Sequence, residues 1–155
     1  FYKLNNFSSS YIDMNERVEK FQLSDNDVIL AAKGSRNFAW AYKEESGPCV
    51  PSSAFFIIRT NPNKIKGEYL ANVLNSKLVQ YQIKNMATGG GMPSIPKKEF
   101  NELEVFVPSL EFQSKVIKMA EMLDENIELT AELLRQKKEL KKGVINKMIS
   151  SEARI

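Results

Sequence analysis

Two polar segments carry the residues best suited to hold an anion. The loop "KGSRNF", Lys33 to Phe38, offers two cations, Lys33 and Arg36, two hydrogen-bonding side chains, Ser35 and Asn37, and a glycine, Gly34, that permits close approach. Arginine holds guanine edges through two parallel hydrogen bonds and asparagine suits adenine, so the loop carries groups that read base edges. An ordinary polar hairpin has the same composition and stays open as a reading. The second segment, "TGGGMPSIPKK", runs from Thr88 to Lys98 and contains Gly89, Gly90 and Gly91 in succession. Unobstructed backbone N–H groups can reach phosphate oxygens there, and Thr88 and Ser94 add hydroxyls. Lys97 and Lys98 follow at the start of a short predicted helix, whose N-terminus also favours an anion. A flexible linker is the competing reading, yet a linker does not explain why Pro93 and Pro96 stiffen the chain at once.

Most other chemistry is excluded by what is missing. The 155 residues contain no histidine, which removes imidazole as a base or zinc ligand. Ser52 and Ser53 therefore have no histidine to activate them. The triple glycine is not followed by Gly-Lys-Ser/Thr, so it is not a phosphate-cradling P-loop. "RTNPNKI" lacks the second proline and the aromatic with which an amino-methyltransferase clamps a flipped base. Asp25 and Asp27 flank a turn at "LSDND", and Glu139 and Lys141 fall on a predicted helix, so neither pair reads as a magnesium site. No catalytic residue, metal site or cofactor is expected. The lone Cys49 cannot form an internal disulfide and reads as a small half-buried residue in a reducing compartment. No apolar run is long enough to cross a bilayer, so a soluble, cytoplasmic protein is expected. The net charge of +3 permits a polyanionic partner without requiring one.

These segments need elements to hold them. Hydrophobic content of 43% and charged content of 26% are those of a globular chain. Asp27–Lys33, Phe38–Lys43, Ala54–Thr60 and Leu103–Pro108 are rich in β-branched and aromatic residues between turn formers, and are expected to be strands. Between them, residues 67–87 place Leu70, Val73, Leu74, Leu78 and Tyr81 on one face of a helix. The pattern predicts an α/β (α+β) domain over residues 1–108 with a mostly antiparallel or mixed, curved sheet.

After Pro108, glycine and proline nearly vanish, and residues 109–150 are expected to form one long helix with a tail at 151–155. Val116, Ala120, Leu123, Ile127, Thr130 and Leu134 recur at spacings of four and three, the seam of a coiled coil. Leu140, Val144 and Met148 continue the stripe, with lysines crowding it around Lys137 and Lys141. Forty such residues make a rod of about 60 Å, whose stripe must pack along another helix or a second copy. A helix folded back on its own domain is the alternative. Gly143 would mark a bend or a close helix contact.

Taken together, the run from Thr88 to Ser150 resembles the end of a target recognition domain and the following spacer helix in specificity subunits of type I restriction-modification enzymes. The shared order is a glycine-rich loop (Gly89 to Gly91), Ile95-Pro96, "LEVFVPSLEFQ" from Leu103 to Gln113, and "LKKG" with an apolar tail from Leu140 to Met148. Upstream, "LSDNDVILAAKG" and "KGEYLANVLNS" are similar to a strand–turn and a domain helix of that family. Phe112 stands where the family usually has an acidic residue, which puts the local contacts at the helix start in question. The resemblance implies a non-catalytic reader of double-stranded DNA. Its partners would be methyltransferase subunits, with restriction subunits a further candidate, and catalysis would belong to them. One recognition domain and one spacer helix imply a half-subunit that pairs as a homodimer, or half of a longer protein; the opening stretch is also shorter than the family's. The DNA contacts would then be Lys33 to Asn37, Thr88 to Gly91, Ser94, Lys97 and Lys98, with Arg36 and Asn37 on base edges and the lysines and glycine loop on phosphates. A coiled-coil scaffold that touches no DNA is the alternative, and a compact nuclease or methyltransferase a third reading.

Overall fold

The computed structural model describes residues 16–152, which fall into two compact units, the first ending at Ile117 and the second beginning at Lys118. The described part of the first unit begins with a single helical turn, α1 (Glu16–Glu19), followed by the central strand β1 (Val28–Ala31). Strands β2 (Ala39–Ala41) and β3 (Phe55–Ile58) flank it in the order β2-β1-β3. Both pairs are antiparallel, so of the two expected sheet types the antiparallel one forms among the described residues.

Alternation within these strands divides the core into two layers. Val28 and Leu30 point to one face and are fully buried beneath α2 (Gly67–Asn75) and α3 (Lys77–Met86), with Leu70, Leu74, Val79 and Ile83. Ile29 points the other way, against Leu23 and Tyr42, flanked by Trp40, Phe55 and Ile57. Both faces of β1 are covered, which is why its sequence, Val-Ile-Leu-Ala, lacks polar alternation. Burying each of the larger side chains contributes about 1.5–3 kcal/mol.

The helical segment 67–87 differs from its expected form. Ser76, with φ −64° and ψ 149°, interrupts it in extended conformation, and its side chain accepts the Val79 N–H to cap α3. The interruption resets the helical phase. Val79 and Ile83 turn inward, while Leu78 and Tyr81, expected on the apolar face, are 72% and 67% exposed. Asn75, the last residue of α2, exchanges two hydrogen bonds with Ala39: Oδ1 accepts its N–H and Nδ2 donates to its carbonyl, both at 2.8 Å. A side-chain amide thus occupies part of the open edge of β2.

Leu103–Pro108 was expected as a strand and is not one; it has no ladder partner among the described residues. Leu103 and Val105 pack on the core while Phe106 is 77% exposed, so the alternation is real. It reflects an extended segment lying on the domain, where the Tyr69 hydroxyl donates to the Phe106 carbonyl at 3.0 Å. β-propensity describes a half-buried extended surface, and this segment has one without a sheet.

Helix α4 is a single turn (Lys97–Phe100), and α5 runs from Leu110 to Glu152, close to the expected bounds. The start of α5 belongs to the first unit, where Gln113 and Ile117 are buried. In the second unit, Leu123, Ile127, Leu134, Leu140, Val144 and Met148 are all exposed in the single chain. Met119, Met122, Leu129 and Leu133 form an exposed second row displaced by one residue, so the apolar face is wider than a simple coiled-coil seam.

Candidate nucleic-acid interface

The two candidate loops, far apart in the sequence, are bonded to each other. The Gly34 N–H donates to the Pro93 carbonyl at 2.8 Å, the Ile95 N–H donates to the Ala32 carbonyl at 2.8 Å, and Lys33 and Ser94 face one another in an antiparallel bridge. Ser94 also closes the glycine segment on itself. Its N–H donates to the Thr88 carbonyl at 2.9 Å, and the Thr88 N–H donates back to the Ser94 carbonyl at 3.0 Å. The glycine stretch is therefore a small pinned hairpin with Gly89 to Met92 at its tip. It is not a free linker.

Gly34 and Gly89 have φ of 99° and 108°, a region that residues with a Cβ rarely adopt, so the turns themselves require them. Gly90 and Gly91 are different. Both lack positive φ, and a Cβ at either would meet nothing within 4 Å. The fold makes no demand for glycine at these two positions, which leaves a bare, solvent-facing backbone at the tip.

Around this hairpin, Lys33, Ser35, Arg36, Thr88, Lys97 and Lys98 are exposed, and Gly34, Asn37 and Ser94 are half-buried. Among the described residues none of these four cations pairs with a carboxylate. Asn37 has a structural task, since its Nδ2 donates to the Ala31 carbonyl at 2.9 Å and holds the turn between β1 and β2. A two-bond grip on adenine would require giving up that hydrogen bond. Helix α4 has only four residues, so the ammonium groups of Lys97 and Lys98, more than any helix dipole, are what it presents.

The remaining polar residues behave as structural groups. Asp27 is buried and accepts the Ser24 N–H at 2.9 Å within the expected turn. Cys49 is half-buried, and desolvation raises its thiol pKa, which makes it a poor nucleophile. Glu139 pairs with Lys142 at 2.8 Å on the exposed surface of α5. Among the described residues no cluster of acidic, cysteine or histidine side chains is arranged to hold a metal, and no helix is long and apolar enough to cross a membrane.

The sequence that builds this arrangement matches a known family. The model of the type I restriction modification DNA specificity domain covers residues 1–141. The chain belongs to this family. No curated protein matches the chain significantly. Membership in the DNA specificity family gives the activity its class, recognition of DNA sequence within restriction-modification.

Within this specificity domain, one set of surface residues was not foreseen. Lys77, Tyr81 and Lys84 stand on the exposed face of α3, beside the Lys33–Phe38 loop. Their spacing of four and three residues was visible in the sequence. It was masked because a single unbroken helix assigns Tyr81 to the apolar face.

Proposed function

We propose that this chain reads one half of an interrupted double-stranded DNA target, and that its long helix pairs with a second copy or half and docks methyltransferase subunits. The observation that carries the reading is the bonding of the two cationic loops through Lys33 and Ser94 into one exposed edge. Among the described residues the cations of that edge have no ion-pair partner, which folding alone does not require and from which a polyanion benefits. Arg36 would read a base edge; Lys33, Lys97, Lys98 and the N–H groups of the glycine tip would hold phosphates. Catalysis belongs to the partner subunits in this reading, and the complex works in the cytoplasm. Two copies related by a two-fold axis would read a palindrome interrupted by unread bases.

The wide apolar face of α5 supports the pairing and docking part. It equally supports a second reading, a scaffold that assembles through the helix and binds no DNA. Copurification with the methyltransferase subunit encoded beside this chain, followed by mapping of modified positions in host DNA, separates the two. One interrupted motif is expected. Assembly without any sequence preference in methylation would favour the scaffold.

A further inference from the structure

Behind the Lys33–Phe38 loop lies an open cleft of about 490 Å³ between that loop and α3. Among the described residues its lining includes three cations, Arg36, Lys77 and Lys84, and no carboxylate. Among the described residues none of the three is in an ion pair. The amide donors of its floor are engaged: Asn75 exchanges two bonds with Ala39, and Gln80 Nε2 donates to the carbonyls of Asn37 and Leu74. What faces a ligand is therefore mainly positive charge, with the Ser35 hydroxyl, the side-chain oxygens of Asn37 and Gln80, and Tyr81, which is 67% exposed.

We propose that the α3 wall of this cleft, Lys77, Tyr81 and Lys84, is a second arm of the DNA interface, which grips the sugar–phosphate backbone while Arg36 on the loop wall keeps its base edge. The inference rests on the DNA-recognition reading and adds a named face to it. Lys77, Tyr81 and Lys84 lie at helical spacing on the side of α3 opposite the buried Val79 and Ile83, so they point outward together. About 10 Å of helix rise separates the two lysines, enough for each to serve its own phosphate. Tyr81 stands between them, where its hydroxyl can donate to the backbone and its ring can lie against a sugar. Lysine acts as a point charge without directional preference, which suits phosphate contacts and carries no sequence information. The NH2 groups of the floor amides, which could donate to bases, are held by the protein's own backbone. The chemistry of the α3 wall is thus that of a positioning clamp.

The test uses the full chain and a random-sequence DNA duplex, because phosphate contacts do not depend on sequence. The slope of log K against log salt is measured for the native chain, for the double variant Lys77→Ala/Lys84→Ala, and for a charge-matched control, Lys137→Ala/Lys138→Ala. Each lost phosphate contact lowers the slope by about 0.9, so the cleft variant should lose about 2 in slope while the control loses much less. Tyr81→Phe should weaken binding less than Tyr81→Ala. A native slope retained in the folded cleft variant, or an equal loss in the control, overturns the clamp and leaves DNA recognition standing. A native chain with no duplex affinity removes both.

Discussion

Gln113 is fully buried, and its Oε1 accepts the backbone N–H of Lys66 at 2.8 Å. Its Nε2 donates to the carbonyls of Lys64 and Pro108, at 2.9 and 2.8 Å. One side chain near the start of α5 thus satisfies three backbone groups from two loops, and ties the approach to α2 to the approach to α5. This explains why a glutamine occupies a fully buried position at the start of α5.

Gln113→Ala leaves those three groups without partners and should cost about 3 kcal/mol, read as a lower urea midpoint. Gln113→Glu tests the geometry more sharply, because an ionised carboxylate would face two carbonyls. Its protonated form can still donate to one of them, so the folded-state pKa of the new carboxyl is raised. Such a variant should regain stability as pH falls through that raised value. Equal midpoints for Gln113→Glu and the native chain at neutral pH would contradict the buried network.

The three tip glycines should separate into two classes. Gly89→Ala forces a side chain into positive φ and should destabilise the fold by about 1–2 kcal/mol. Gly90→Ala and Gly91→Ala should leave the melting temperature unchanged or slightly raised, since they reduce unfolded-chain entropy without strain. If the tip lies against DNA, those two variants should nonetheless bind duplex more weakly. Native affinity in both would remove the tip from the interface.

Arg36 and the Lys97–Lys98 pair should fail in different ways. Lys97→Ala/Lys98→Ala should weaken binding to every sequence and lower the salt slope by about 2. Arg36→Ala should cost about 1–3 kcal/mol against the target and relax preference at one base pair. A uniform loss over all sequences would instead make Arg36 a phosphate contact. Footprints and selection from randomised duplexes distinguish these outcomes.

Tyr42 and Tyr69 predict the alkaline limit of the fold. Burial raises the pKa of both phenols above the ordinary 10.0, and at Tyr42 the neighbouring Cys49, Glu44 and Asp25 add to it. The native state therefore holds these protons more tightly than the unfolded chain. Stability from this source is complete below pH 10 and is lost as pH rises through the raised values. Urea midpoints measured between about pH 9 and 11 should fall, and Tyr69→Phe should lessen the fall.

Much of this protein is legible without coordinates. Runs such as Val28–Ala31 and Phe55–Ile58 are apolar, β-branched or aromatic and bounded by turn formers, so local propensity and burial agree on strands. The length of α5 follows from more than forty residues with a helical stripe and a single interior glycine. Cationic and glycine-rich loops also declare themselves by type. The order of these pieces was enough to point to the family.

Register and partnership were not legible, because each depends on atoms distant in the chain. Ser76 is one residue in an otherwise continuous helical pattern, yet its extended backbone rotates α3 and turns Tyr81 to solvent and Ile83 to the core. Leu103–Pro108 alternates as a strand should, but the sheet offers it no ladder among the described residues. The meeting of Lys33 with Ser94 follows from hydrogen bonds between Ala32, Gly34, Pro93 and Ile95, none of which has a sequence signature. Periodicity reports which residues avoid water; only packing in three dimensions decides which loops share an edge.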